Sequence, residues 1–382
     1  MDFATWMYPW DFLEEGSDRI TENLASAGID EINLATNYHT VQAFTPHNPD
    51  RRTFFARASS YFYPDDQYGQ LEPVPYDGMD RDWIDTIADA VPDPISLTSW
   101  TVGCHNSRLG MDHRELTIEN AHGDDLVFGL CPSKPPVQSY LTNIVRDLAD
   151  RDHFDRIELE TFDYFYGTGF GWHHQKIHVR LGALGEFLFG LCFCEECCAN
   201  ARMADADLDV ERARQTVAET LDDIVANRLS HETDPGAWLD EHRDVAAYAD
   251  VRTRTLEGLF SALADVAGDA KLGYYAGMPS PGREWMVGAD LSKLATHVDY
   301  YCVPAYESSR EAVLDAYHTV EAGVDIPVHV GILPGHPALH DRETVGEIID
   351  GLRTSGVPRV SIYNYGLLPE RSLEWIGSTI RS

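Results

Sequence analysis

The chain has 382 residues, of which 43% are hydrophobic and 11% aromatic, and its formal net charge at pH 7 is −34. This apolar content is enough for a large core, which excludes a disordered chain or a coiled coil as a global description. Because 63 acidic residues outnumber 29 basic ones, a nucleic-acid partner is not expected.

Eight short segments rich in β-branched and aromatic residues recur along the chain. In chain order they are 3–9, 31–36, 95–102, 156–161, 271–276, 298–304, 327–332 and 359–365. Helical patterns, with apolar residues three and four positions apart, cover 17–27, 81–90, 137–151, 246–267, 310–321 and 342–354. Strands that alternate with helices indicate a parallel sheet, and eight strands are what a closed barrel requires. We therefore predict a single (β/α)8-barrel (TIM-barrel) domain over residues 1–382.

Two connections are too long to be simple loops. Residues 37–78 follow the second strand and contain two strand-like runs, 52–57 and 59–63, which predict a hairpin over the barrel mouth. Residues 162–246 follow the fourth strand and carry a cysteine cluster and acidic helices. Such insertions lie on the catalytic face of barrel enzymes, so the function is expected there.

The acidic residues are scattered rather than gathered in a tail, and only four lysines are present. This pattern is typical of a halophilic protein, because a Debye length of roughly 3 Å in molar salt screens the repulsion between surface carboxylates. The chain shows no signal-peptide pattern and no run of about 20 apolar residues, which predicts a cytoplasmic protein without a membrane partner. The sequence does not determine the oligomeric state, and a homo-oligomer is compatible with it.

Three thiols, from Cys192, Cys194 and Cys197, fall within six residues. One turn can present such a group to a tetrahedral metal ion, and a fourth thiolate would complete a closed, structural zinc site. Cys131 is the preferred fourth ligand, with Cys104 and Cys198 as alternatives. The other interpretation is a group of buried, reduced cysteines without metal. No organic cofactor is expected.

Glu160 ends the fourth predicted strand, a Cys131-Pro132 pair precedes it, and the Cys-x-Cys-x-x-Cys cluster follows it. This arrangement resembles the zinc-bearing β-galactosidases of glycoside hydrolase family 42, which are clan A barrels. The likeness covers residues 131–200, about a fifth of the chain. It implies that Glu160 is the catalytic acid/base and that Cys131, Cys192, Cys194 and Cys197 bind zinc.

Two positions differ from the pattern of that clan. Leu159 stands where the clan has asparagine before the acid/base. Residues 331–336, at the end of the seventh strand, hold no carboxylate where the clan has its nucleophile. The resemblance therefore implies the acid/base but not the second catalytic group.

The alternation of Ile157-Glu158-Leu159-Glu160 directs both glutamates to one face of the strand. If the apolar pair packs outward, the glutamates point into the barrel, with Glu160 nearest the mouth. Interior acids are costly unless they are paired or functional. A structural alternative for Glu160 is an ion pair with Arg108 or Arg156.

Glycoside hydrolysis usually requires a second carboxylate. Glu307, directly after the sixth strand, is the first candidate, and Asp163 and Asp11 follow. Glu307 is equally consistent with an acidic residue that stabilises the start of the next helix.

Aromatic rings that stack on sugars and polar groups that bind hydroxyls collect at the predicted strand ends. The substrate-binding candidates are Trp6, Asp11, Tyr38, His39, Trp100, His105, Asn106, Arg108, Tyr164, Trp172, His173, Tyr275, Tyr306, Tyr363 and Asn364.

The leading functional hypothesis is hydrolysis or transfer at the glycosidic bond of a small glycoside or oligosaccharide. The first alternative is a sugar isomerase or epimerase, in which His39, His105, Glu160 and Asp163 hold a divalent metal and move protons. The second alternative is a non-catalytic carbohydrate-binding barrel, with which the missing carboxylate on strand seven is consistent. A barrel fold alone is compatible with all three.

Overall fold

The structure is a computed structural model that describes residues 1–164, 178–335, 339 and 341–381. Its centre is a closed barrel of eight parallel strands. These are β1 (Asp2–Met7), β2 (Glu31–Tyr38), β3 (Ser96–Val102), β4 (Arg156–Glu160), β5 (Lys271–Tyr275), β6 (Tyr300–Pro304), β7 (Val328–Ile332) and β8 (Arg359–Ile362). β1 pairs with both β2 and β8, which closes the sheet. The predicted (β/α)8 barrel is therefore confirmed.

Helices surround the barrel and cap its connections. They are α1 (Pro9–Glu15), α2 (Ser17–Ala27), α3 (Trp83–Ala90), α4 (Ser107–Asp112), α5 (Pro135–Asp150), α6 (Gly182–Phe189), α7 (Glu195–Ala204), α8 (Val210–Val225), α9 (Pro235–Glu241), α10 (Arg243–Val266), α11 (Leu291–Leu294), α12 (Arg310–Glu321), α13 (Arg342–Thr354) and α14 (Glu370–Ile380). None of these helices combines the length and the hydrophobicity that crossing a membrane requires.

The connection from β2 to β3 contains an antiparallel hairpin of Val41–Phe44 and Thr53–Ala56. A separate short strand, Ser59–Ser60, pairs with the end of β2. The predicted pairing within 52–63 was wrong, because a turn closes the hairpin earlier in the chain. In that turn the Asn48 side chain accepts hydrogen bonds from the amides of Asp50 and Arg51 at 2.9 and 3.0 Å, a common turn-forming use of asparagine.

The connection from β3 to β4 contains α4, a second small hairpin of Thr117–Glu119 and Asp125–Leu130, and α5. The connection from β4 to β5 contains the helices α6 to α10. In β4 the side chains of Ile157 and Leu159 are fully buried. The two glutamates that alternate with them make their hydrogen bonds inside the barrel, as the alternation predicted.

Candidate active site

A cavity of about 360 Å³ lies at the carboxyl ends of the barrel strands. Its volume is typical of small-molecule sites, and its position is that of the active site in barrel enzymes. Ten of its fourteen lining residues are candidates predicted from the sequence. The lining residues are Trp6, Tyr38, His39, Trp100, His105, Glu160, Thr161, Asp163, Tyr275, Met278, Pro304, Tyr306, Leu333 and Tyr363.

Glu160, the last residue of β4, supplies one of the two carboxyl groups of this lining. The indole Nε1 of Trp100 donates a hydrogen bond to its Oε2 over 2.5 Å. Burial raises the pKa of Glu160 from 4.5 to about 7, while the Trp100 hydrogen bond lowers this pKa and the charge of Asp163 raises it. A carboxyl group with this pKa can both give and take a proton near neutral pH, which is what general acid/base catalysis requires.

The two arginines considered as structural partners of Glu160 have other partners. Arg108 lies 3.4 Å from a carboxylate oxygen of Asp77. Arg156 lies 3.1 Å from Glu31, near the amino end of the barrel. Among the described ion pairs none involves Glu160, so the structural alternative is not supported for this residue.

A turn in the left-handed region brings Asp163 to the same cavity. Thr161 has a φ of 55°, which β-branched residues rarely adopt. Its carbonyl accepts a hydrogen bond from the Cys104 amide at 2.8 Å, and its Oγ1 accepts one from the His105 amide at 3.4 Å. Asp163 is 2% exposed, and its Oδ2 accepts a hydrogen bond from the Tyr274 hydroxyl over 2.5 Å. The strained turn thus brings Asp163 to the cavity that Glu160 lines, and strain of this kind is frequent at functional sites.

Glu158 lies inside the barrel and is not part of the cavity lining. Its Oε2 accepts hydrogen bonds from the Tyr275 hydroxyl at 2.6 Å and from Asn33 at 3.2 Å, and its Oε1 accepts one from Tyr300 at 3.2 Å. Burial raises its pKa to about 7, against the effect of both tyrosines. Three donors thus satisfy this fully buried group, as a structural role requires.

Aromatic rings form much of the remaining wall. The ring centroid of Trp6 lies 5.8 Å from that of Tyr363, and Tyr38 packs edge-on against Trp100 at 4.5 Å. Tyr306 lies 5.4 Å from Tyr363. Flat rings of this kind suit the C–H faces of sugars, as the sequence suggested.

His39 and His105 stack on one another in the cavity wall, with ring centroids 4.5 Å apart and planes at 24°. The isomerase hypothesis requires both rings to bind a metal together with Glu160 and Asp163. Among the described residues, however, only four cysteines form a group of three or more metal-binding side chains with all donor atoms within 4.8 Å. The four residues of that hypothesis therefore do not form a compact metal site in this structure.

Two predicted carboxylates lie away from the cavity lining. Asp11 is fully buried in the first turn of α1, where its Oδ2 accepts a hydrogen bond from the Tyr8 amide at 3.2 Å. Burial raises its pKa to about 8. Glu307 is exposed and precedes α12, whose N-cap is Ser309. Of the candidates for the second carboxylate, only Asp163 lines the cavity.

Four other predicted substrate ligands have contacts outside the cavity lining. Asn106 caps α4 by accepting a hydrogen bond from the Leu109 amide at 3.0 Å, and Asn364 accepts one from the Gly366 amide at 3.1 Å. Arg108 contacts Asp77, as described above. The Tyr164 hydroxyl lies 2.6 Å from Ser133 Oγ. Trp172 and His173 lie outside the described residues.

The cavity also contains four residues that were not predicted: Thr161, Met278, Pro304 and Leu333. Leu333 directly follows β7, and this position after a barrel strand could have identified it as a residue of the cavity lining. Met278 lies in the loop after β5, which Glu284 holds by accepting hydrogen bonds from the amides of Gly277 and Gly282. A contact of this kind leaves no local sequence pattern.

Cys131, Cys192, Cys194 and Cys197 come together as predicted, all buried. The sulfur of Cys131 lies 3.7, 3.8 and 3.6 Å from those of Cys192, Cys194 and Cys197. A tetrahedral zinc ion with Zn–S bonds of about 2.3 Å would separate its sulfur ligands by about 3.8 Å. The four thiols therefore fit a metal ion. The alternative fourth ligands lie outside this group, and Cys198 donates a hydrogen bond to the Phe193 carbonyl instead.

Three solved structures share the fold over nearly the whole chain. The β-galactosidase from the psychrophilic Marinomonas ef1 has a TM-score of 0.58 at 11% identity, with 100% of this chain and 59% of that chain covered. The polyextremophilic β-galactosidase from the Antarctic haloarchaeon Halorubrum lacusprofundi has a TM-score of 0.58 at 13% identity, with 100% and 58% covered. The PgaB (BpsB) glycoside hydrolase domain from Bordetella bronchiseptica has a TM-score of 0.57 at 11% identity, with 96% and 95% covered.

This chain thus spans less than two thirds of the two β-galactosidases. No family model and no curated protein matches the sequence. At identities of 11–13% the likeness concerns the fold and not the activity. At the level of the fold, the resemblance predicted from the sequence is confirmed. The chain has the (β/α)8-barrel fold of glycoside hydrolases that include these β-galactosidases.

Proposed function

We propose that the protein is a glycoside hydrolase-like enzyme that acts on a small glycoside or oligosaccharide. The observation that carries the proposal is the carboxyl group of Glu160, which lies in an aromatic cavity at the strand ends and has a pKa of about 7. The fold of the glycoside hydrolases named above supports it. The cavity volume and the predicted cytoplasmic location favour small substrates over polymers.

Protonated Glu160 would donate its proton to the glycosidic oxygen as the bond to the anomeric carbon breaks. Asp163 is the proposed partner, because it is the other carboxylate in the lining and its negative charge already acts on Glu160. It would either attack the anomeric carbon or accept a proton from the attacking water, the two roles that a second carboxylate takes in glycosidases. Glu307, exposed before α12, is the less favoured partner.

We further propose that the four cysteines bind a structural Zn²⁺ ion. Four thiolates leave no open coordination position, which is typical of structural sites. When bound, the ion would supply a cross-link between the segment before α5, which contains Cys131, and the segment at α7, which contains the other three ligands.

The test is turnover of aryl glycosides with different leaving groups, measured in molar KCl. We expect Glu160→Gln to lower kcat/KM by about 10²–10⁴ for phenyl glycosides. The loss should be much smaller for dinitrophenyl glycosides, because that leaving group needs no proton. Glu307→Gln is the matched control and should remain near wild type.

Full activity of Glu160→Gln on phenyl glycosides would contradict the proposal. Sugar binding by a wild type that turns over no glycoside would instead favour the non-catalytic barrel. Conversion of free sugars that a chelator abolishes, with the cysteine-bound metal retained, would favour the isomerase.

A further inference from the structure

Arg252, in the middle of α10, is a buried cation whose terminal nitrogens have no hydrogen-bond partner in the part of the chain that the structure describes. It is 3% exposed, and among the described residues neither Nη1 nor Nη2 has a partner. Only its Nε donates, to the Ala249 carbonyl of its own helix at 3.4 Å. Since a guanidinium group stays charged in proteins, an isolated one is costly to bury. Such a group requires negative charge nearby.

Two aromatic rings supply part of the compensation. The guanidinium carbon lies 5.4 Å from the ring centroid of Tyr164 and 5.4 Å from that of Phe187. Cation–π contacts of this kind are attractive but weaker than a full ion pair. They account for the position of the guanidinium but do not neutralise its charge.

Geometry connects Arg252 to the four-cysteine site, because Tyr248, four residues earlier on α10, donates a hydrogen bond from its hydroxyl to the Cys192 carbonyl at 2.6 Å. Burial lowers the pKa of Arg252, and Tyr164, Cys197 and Cys192 all act against this decrease. A chain of contacts also connects the two places. The Tyr164 hydroxyl lies 2.6 Å from Ser133 Oγ, to which Cys197 donates a hydrogen bond at 3.2 Å.

Lys134, a cation next to the cysteines, has its own carboxylate partner. Lys134 Nζ lies 2.8 Å from Glu196 Oε2. A zinc ion with four thiolate ligands carries a net charge of 2−, which one such neutral pair does not balance. We propose that Arg252 is the internal counter-cation of the four-cysteine metal site.

The proposal rests on the metal site proposed above. It predicts that Arg252 stabilises the metal-bound protein and destabilises the metal-free protein. With metal bound, the site is anionic and Arg252 stabilises it. Without metal, the zinc–thiolate centre and its 2− charge are absent, so Arg252 loses the proposed counter-charge and is left as a buried cation. Arg252 should therefore raise metal affinity by favouring the loaded protein over the empty one.

The test compares Arg252→Met, which keeps the length of the side chain, with wild type and with Arg254→Met. Arg254 lies two residues along the same helix and is 58% exposed, so it controls for loss of an arginine from α10. Zinc release to a chromogenic chelator and thermal unfolding, with zinc and with chelator plus reductant, are measured in molar KCl. We expect Arg252→Met to release zinc at least tenfold faster than both other proteins. Its melting temperature should fall with zinc and stay equal or rise without it.

A purely packing role would lower the melting temperature of Arg252→Met in both states and would overturn the proposal, as would unchanged zinc release. If Arg252→Met does not fold, Arg252→Lys decides, because it keeps the charge and should release zinc within about threefold of wild type. Release tenfold faster from folded Arg252→Lys would also overturn the proposal. Absence of zinc from the wild type would be a failure of the metal site itself.

Discussion

The indole Nε1 of Trp100 lies 2.5 Å from Oε2 of Glu160, so a side chain of β3 holds the carboxyl group at the end of β4. This hydrogen bond favours the charged form of the carboxyl group, whereas burial favours the neutral form. Since the two effects oppose one another, the proton affinity of Glu160 can be adjusted from a neighbouring strand without touching the carboxylate.

Replacing Trp100 by Phe tests this adjustment. The variant keeps a ring but loses the donor, so we expect the pKa of Glu160 to rise and the alkaline limb of the kcat/KM–pH profile to move up by roughly 0.5–1 unit. Trp375→Phe is the control, because Trp375 packs with Arg371 on α14 and does not line the cavity. A limb that does not move in Trp100→Phe would show that this hydrogen bond does not set the pKa.

Replacing Asp11 by Asn should make the protein less sensitive to high pH. The raised pKa of about 8 means that folded Asp11 keeps its proton where the unfolded chain, with a pKa near 4, has lost it. Stability from this group is therefore complete below pH 4 and is lost as pH rises towards 8. The asparagine cannot ionise and keeps an oxygen for the Tyr8 amide. Between pH 5 and 8, we expect the variant to lose less unfolding free energy than wild type by at least about 1 kcal/mol.

Urea unfolding in molar KCl at both pH values measures this difference. Asp18→Asn, an exposed acid in the first turn of α2, is the matched control and should follow wild type. Equal losses in wild type and Asp11→Asn would mean that Asp11 is ionised in the folded protein at neutral pH.

Replacing Cys197 by Ser should remove the metal, whereas replacing its neighbour Cys198 should not. Elemental analysis of wild type and Cys198→Ser should give about one zinc per chain, against well under one for Cys197→Ser. The melting temperature should fall with the loss of the ion, since a structural zinc site contributes directly to folding. Zinc contents that fall equally in both variants would contradict the assignment of the ligands.

The charge of −34 predicts that the fold depends on salt. Transfer from molar KCl to dilute buffer lengthens the Debye screening distance from roughly 3 Å to about 30 Å at 0.01 M, so repulsion between surface carboxylates should destabilise the protein. Circular dichroism melting curves at several KCl concentrations measure the effect. A melting temperature that is the same in dilute buffer would rule out this dependence.

The barrel could be predicted because its strands are short segments rich in β-branched or aromatic residues, and because six of its helices show apolar residues three and four positions apart. The cysteine site could be predicted because three of its ligands are close in sequence. Within the cavity, alternation along the fourth strand identified Glu160, and Trp100 was identified by its position at the end of the third predicted strand.

Residues in loops could not be placed in this way. Asp11 follows β1 by only four residues, yet α1 begins at Pro9 and turns its carboxylate into the first helical turn. Asp163 reaches the cavity only through the left-handed turn at Thr161, which no periodicity indicates. The role proposed for Arg252 could not be predicted from the sequence, because its environment depends on the packing of segments that are far apart in sequence.

Glu158 accepts hydrogen bonds from Asn33 on β2, Tyr275 on β5 and Tyr300 on β6. Trp6 on β1 donates a hydrogen bond to Tyr275, and Asn33 donates one to Ser361 on β8. Six strands are thereby joined by one polar layer at the floor of the cavity, to whose lining Trp6 and Tyr275 also belong. Replacing any member leaves a partner on another strand unsatisfied, so changes in this layer require matching changes elsewhere. Met278 and Leu333, loop residues of the cavity lining, take no part in these hydrogen bonds. Selection for a new substrate can therefore replace such loop residues one at a time, whereas the residues of the polar layer must change together.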